Sequence, residues 1–262
     1  MYTDTHSHLE MVEGEYPHAI VQRARAAAVD TILTVGVDLA SSAECTQTAG
    51  TVPGVWAVVG IHPHNAMEAT AGVLERLEQL AHHPRVVGIG ETGLDYYRDH
   101  SPRAQQQAAF RAQIALAKAV DKALVIHCRE AHDDVLEVLA AEGAPPRVVF
   151  HCFSGDVDFV KQCAEQGWFM SFAGTVTFRN APALREAAAS APVELLLTET
   201  DAPYLSPHPH RGKTNEPARV KLIAATLAEL HGMGSDQMGQ LTSANASRAF
   251  DLPATDGRAP PA

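Results

Sequence analysis

Short runs of consecutive apolar residues recur along the chain and alternate with stretches whose apolar positions follow a helical period. The opening MYTDTHSHL reads as a strand. Seven more strands are predicted over 31–37 (TILTVGV), 55–61 (VWAVVGI), 86–91 (VVGIGE), 123–128 (ALVIHC), 147–152 (RVVFHC), 168–172 (WFMSF) and 194–200 (ELLLTET). Helices are predicted between them, over 17–29, 41–50, 69–81, 102–120, 130–141, 156–166 and 181–190, followed by 217–231 and 235–250; Pro102 stands in a first helical turn. The strands are near-continuously apolar, as a parallel sheet covered by helices requires. Eight such units closing on themselves make an α/β fold of the (β/α)8 TIM-barrel kind. An open doubly wound sheet is the alternative, but it calls for an early Gly-rich phosphate turn that this sequence lacks. With no linker in view, residues 1–252 read as one barrel domain. Residues 253–262 (PATDGRAPPA), which lack periodicity, read as a mobile tail.

Composition narrows the function. The 262 residues are 46% hydrophobic and 19% charged, enough apolar mass for a large core. A formal net charge of -11 argues against a broad basic face for nucleic acid, leaving only a local basic patch. No apolar run reaches membrane-spanning length, and the N-terminus lacks a secretory layout. Candidate ligands from residue 6 onward leave no space for a presequence, so a cytoplasmic location is expected. Cys45, Cys128, Cys152 and Cys163 show no C-x-x-C spacing and read as buried thiols.

In a barrel of this kind reactive groups sit at the carboxyl ends of the strands. His6 and His8 end the first predicted strand, Glu91 the fourth, His127 the fifth and His151 the sixth; Asp201 follows the eighth. Six such donors exceed one tetrahedral zinc and suit two divalent ions sharing a carboxylate. The natural division gives His6, His8 and Asp201 to one ion, His127 and His151 to the other, and Glu91 to both. Two ions roughly 3.5 to 4 Å apart hold a bridging water and lower its pKa, which favours hydrolysis by hydroxide. Asp201 is placed to act as general base. Strand alternation turns Cys128 and Cys152 toward the helices. Asp4 and Glu199 lie behind His6 and Asp201 on the same faces and read as groups that orient ligands. Arg211 and Lys213 follow the last strand, where barrels often bind phosphate. Tyr96 and Tyr97 read as packing residues, with stacking on a base as the alternative.

These residues sit in a series of ordered motifs: D-T-H-S-H-L from Asp4, G-I-H-P-H from Gly60, G-E-T-G-L-D-Y-Y from Gly90 and V-I-H from Val125. F-H-C-F-S-G from Phe150, T-E-T-D-A-P-Y-L from Thr198, R-G-K-T-N-E-P from Arg211 and N-A-S-R-A-F from Asn245 follow. The series resembles the TatD-type metal-dependent hydrolases of the amidohydrolase-like superfamily along almost the whole chain. That resemblance implies a divalent-metal deoxyribonuclease with its ligands on the six residues above, and it puts His62 close to the substrate. Many superfamily relatives bridge their metals with a carbamylated lysine. No lysine here stands at a predicted strand end, and Glu91 takes that place.

The expectation is therefore a binuclear phosphodiesterase acting on DNA single strands or strand ends, an exonuclease more than an endonuclease, with Zn, Mn, Mg or Fe as admissible metals. A carboxylic ester or amide hydrolase, such as an aminoacyl-tRNA deacylase, is the first alternative, and a non-catalytic metal-dependent binding protein the second. No protein partner and no membrane association is readable.

Overall fold

A computed structural model describes residues 1–253. The expected mobile tail, beyond Pro253, lies outside the described residues. All eight predicted strands form: β1 (Tyr2–Ser7), β2 (Val29–Val35), β3 (Val55–Val59), β4 (Val86–Asp95), β5 (Ala123–Arg129), β6 (Val148–Phe150), β7 (Phe169–Phe172) and β8 (Leu196–Thr198). They pair in parallel and in chain order. The sheet closes where a parallel bridge joins Ser7 to Ala202. There the Asp201 N–H donates to the His6 carbonyl at 2.9 Å and the His8 N–H to that of Ala202 at 2.7 Å. This is a (β/α)8 barrel.

Nine helices accompany the strands among the described residues: α1 (Pro17–Ala26), α2 (Leu39–Thr51), α3 (Ala71–Ala81), α4 (Arg103–Ala119), α5 (His132–Glu142), α6 (Val157–Glu165), α7 (Pro182–Ser190), α8 (Val220–Leu230) and α9 (Ser235–Phe250). Asp38 caps α2 by accepting from the Ser41 N–H at 2.7 Å, and Asp156 caps α6 from Phe159 at 2.9 Å. Apolar side chains fill two layers. The larger lies between sheet and helices, around Phe110, Ile114, Phe150 and Phe172. The smaller gathers Leu33, Val58, Val87, Val125 and Leu197 against Ala246, Ala249 and Phe250 of α9. One side of the barrel interior is thereby packed, and the polar strand ends are left to form a site on the other.

Element types agree with the sequence reading, but several ends differ. β4 runs on to Asp95 rather than stopping at Glu91, while β6 and β8 are shorter than predicted because turns begin before the apolar runs end. No helix among the described residues is long and apolar enough to cross a membrane.

Candidate metal centre

The barrel brings all six predicted donors together at the strand ends. His6 projects from β1, and His8 caps the 3-10 turn that follows it. Glu91 comes from β4 and His127 from β5; His151 and Asp201 stand in the turns after β6 and β8. Asp201 has φ +55°, a left-handed conformation that Asp tolerates better than most residues.

Glu91 is the centre of the group and is 3% exposed. Its Oε2 faces the first pair, 3.3 Å from His6 Nε2 and 3.9 Å from His8 Nε2. Its Oε1 faces the others, 2.7 Å from His127 Nδ1, 3.0 Å from His151 Nε2 and 3.3 Å from His62 Nε2. Asp201 Oδ1 lies 3.4 Å from His8 Nε2 and 3.9 Å from His6 Nε2. Donor atoms of His6, His8 and Asp201 fall within 4.8 Å of one another, as do those of His62, Glu91 and His127 and those of His6, His151 and Glu199. His62 thus lies beside Glu91 and His127 and also lines the cavity above them.

Electrostatics follow from this crowding. Burial alone would raise the Glu91 carboxyl; the charges of His151 and His62 and the bonds to His127 and His151 override it and hold the group well below the usual carboxylate range. Burial likewise opposes the Asp201 carboxylate, but His8, His151 and His6 lower it. His6 is pushed down, chiefly by burial and then by His151, so its ring stays neutral with a lone pair to offer. Both ring nitrogens of His6 are buried without a hydrogen-bond partner. A buried, unpaired imidazole is costly, and a cation removes that cost. The donor set thus fits divalent ions.

The surrounding bonds have the form that metal ligands need. His8, His127 and His151 each turn one ring nitrogen toward Glu91 or Asp201 and rest the other on an acceptor: the Val35 carbonyl (2.8 Å), Asp95 Oδ2 (3.0 Å) and Glu199 Oε1 (2.9 Å). Such contacts fix ring orientation and raise ligand basicity. Glu199 also accepts from the Cys152 N–H at 2.8 Å. Asp4 accepts from the His6 N–H at 3.4 Å. Its carboxylate accepts from the Thr200 N–H (2.8 Å) and hydroxyl (2.6 Å), tying β1 to the turn that carries Asp201.

Asp95 is absent from the sequence reading. Its Oδ2 lies 3.0 Å from both His127 Nε2 and His64 Nε2, and its Oδ1 accepts from the Tyr97 and Arg98 N–H groups at 3.0 and 2.8 Å. Continuing the β4 alternation from Glu91 through Gly93 would have found it. Gly93, at φ +136°, lets the strand pass close to β5; a Cβ there would meet the His127 carbonyl oxygen at 2.1 Å. Asp95→Asn is expected to weaken divalent-ion affinity roughly 10–100-fold, measured by competition with a chelating dye. Unchanged affinity would show that His127 does not depend on this contact.

The centre forms the floor of a cavity of about 930 Å³ lined by His62, His64, Arg98, Arg129, Asp201 and Tyr204 among others. Arg211 and Lys213 do not line it; the Arg211 guanidinium lies over the Phe178 ring at 4.1 Å. Cys128 is buried in the outer apolar layer as expected but also edges the cavity, and Cys152 lines it too. The alternation argument fails for Cys152 because β6 has already ended at Phe150 and residue 152 turns at φ +43°. Tyr96 is half-buried, with its hydroxyl 2.6 Å from Asp134, whereas Tyr97 is 54% exposed.

Comparison with known proteins agrees with this geometry. Residues 3–251 match the family model described as TatD related DNase. The chain is 44% identical over 258 residues to the "Uncharacterized metal-dependent hydrolase TatD" of Mycobacterium tuberculosis, covering 95% of this chain and 97% of that protein. It is 38% identical over 239 residues to the "3'-5' ssDNA/RNA exonuclease TatD" of Klebsiella pneumoniae, covering 89% and 91%. The crystal structure of YJJV, a TatD homologue from Escherichia coli K12, superimposes with a TM-score of 0.90 at 29% identity over 96% of this chain and 98% of that one.

Proposed function

The chain belongs to the TatD-related DNase family and is a metal-dependent hydrolase of ester bonds; from that premise we propose that it cleaves phosphodiesters of single-stranded nucleic acid, DNA foremost, from a strand end. The observation that carries this reading is the placement of Glu91, its two oxygens turned to two sets of imidazoles on the floor of an open cavity. In this reading His6, His8 and Asp201 would hold one divalent ion, His127 and His151, with His62 beside them, would hold a second, and Glu91 would serve both. Imidazole and carboxylate donors admit Zn, Mn, Fe or Mg. Bound there, the ions would supply Lewis acidity and a water of lowered pKa.

The chain's own residues do the rest. Asp201 Oδ1, at the cavity edge of the donor set, accepts the proton of the attacking water and returns one to the leaving oxygen. Asp95 and Glu199 keep the His127 and His151 rings in register. The relative named a 3'-5' ssDNA/RNA exonuclease supports exonuclease action at a strand end. An end-labelled oligonucleotide incubated with metal-loaded protein is expected to shorten progressively, to stop with EDTA and to resume when the divalent ion is restored. Turnover of carboxylic esters with every DNA and RNA substrate left intact would overturn the reading.

A further inference from the structure

We propose that Arg98, Arg129 and Tyr97 form a subsite that grips the two phosphates next to the scissile one, one for each arginine, an inference that rests on the single-strand reading above. Arg98 and Arg129 line the cavity mouth and are exposed. Among the described residues neither lies within 4.0 Å of a carboxylate, although Arg23, Arg103, Arg111 and Arg147 are all so paired. In a chain of net charge -11, two unpaired guanidiniums at the rim of an acidic site are placed for an anion from outside. The guanidinium offers a planar fork that matches two phosphate oxygens at once.

The two arginines are also held in place. The Arg129 guanidinium lies over the Tyr97 ring at 4.1 Å and that of Arg98 at 5.7 Å. A ring face restrains a guanidinium before the ligand arrives and leaves its N–H edge open. Their backbones are pinned as well. The Tyr97 and Arg98 N–H groups donate to Asp95 Oδ1, and the Tyr96 N–H donates to the Arg129 carbonyl at 3.0 Å. Asp95 is the same carboxylate that contacts His127, so the subsite is set at a fixed offset from the metal centre. Tyr97 acts here as a positioning residue.

The subsite is short. A neighbouring groove carries five carboxylates, Glu130, Asp133, Asp134, Asp156 and Asp158, against one arginine, Arg103, and so repels further phosphates along that path. The count of neutralised phosphates should therefore be near two, one for each arginine.

The test measures KM and kcat of the metal-loaded enzyme on an oligothymidylate between about 50 and 200 mM KCl. The double variant Arg98→Ala/Arg129→Ala is expected to raise KM at least tenfold, more than it lowers kcat. It should also flatten the dependence of log(1/KM) on log salt by about 1.4, at ~0.7 per phosphate on a single strand. Tyr97→Ala should raise KM several-fold and Tyr97→Phe should restore it. Melting temperatures check that each variant folds. A wild-type enzyme that hydrolyses bis(4-nitrophenyl) phosphate but neither binds nor cuts the oligonucleotide overturns the substrate reading and the subsite together. If the wild type cuts the oligonucleotide and the double variant matches it, the subsite alone is overturned. It also falls if the salt dependence flattens in Arg211→Ala/Lys213→Ala instead.

Discussion

Glu91→Gln is expected to reduce turnover by ~10³-fold or more and to lower the divalent-ion content of the purified protein. Glutamine keeps the shape but loses the charge, and it offers one oxygen where Glu91 turns one to His6 and His8 and the other to His127, His151 and His62. Ions at these positions are worth several kcal/mol of transition-state stabilisation, and each ~1.4 kcal/mol is tenfold in rate. Folding should survive, since the side chain sits at the strand ends beyond the apolar interior. Elemental analysis and steady-state rates on the same preparation check the prediction. A Glu91→Gln enzyme with full metal content and more than about a tenth of the wild-type rate would remove this residue from the centre of the mechanism.

Asp201→Asn is expected to lower kcat by roughly 10²–10⁴-fold through loss of the proton acceptor. The carboxylate is held low because His8, His151 and His6 together outweigh its burial, so it is ionised at neutral pH and faces the cavity. Asparagine can still receive the Ser7–Ala202 geometry around it, because the Asp201 N–H bond to the His6 carbonyl belongs to the backbone. The two roles given to Asp201 separate in one experiment: kcat is compared with ion content over a metal titration. If kcat at saturating metal returns to the wild-type value, Asp201 is a ligand and nothing more.

Most of the barrel was legible because its two periods differ so strongly. Apolar runs such as ALVIHC, set between the helical-period stretches 102–120 and 130–141, leave little choice of element. The six residues that the barrel gathers were also legible as candidates, since polar residues that end apolar strands stand out. What escaped depended on where strands stop. β4 was cut at Glu91 because Thr92 and Gly93 break the apolar pattern, and Asp95 was lost with the remainder of the strand. For Arg211 and Lys213 the position after the last strand pointed to phosphate, but loop direction is set by tertiary contacts. The buried Asn215 side chain donates to the Thr200 and Tyr204 carbonyls and fixes where that loop leaves the barrel. The pairing of Arg129 with Tyr97 joins the end of β5 to the turn after β4, a relation no local pattern encodes.

The closing seam between β1 and β8 also bears on how the protein is made. His6 appears in the first moments of translation, whereas Asp201 and the Thr200 groups that clasp Asp4 appear nearly two hundred residues later, separated from Asp4 by 196 positions. Until that segment leaves the ribosome the group of His6, His8 and Asp201 cannot assemble, and bringing its ends together costs the entropy of closing so long a loop. An ion held by His6, His8 and Asp201 would therefore await completion of the barrel, and would hold shut the joint that the chain reaches last.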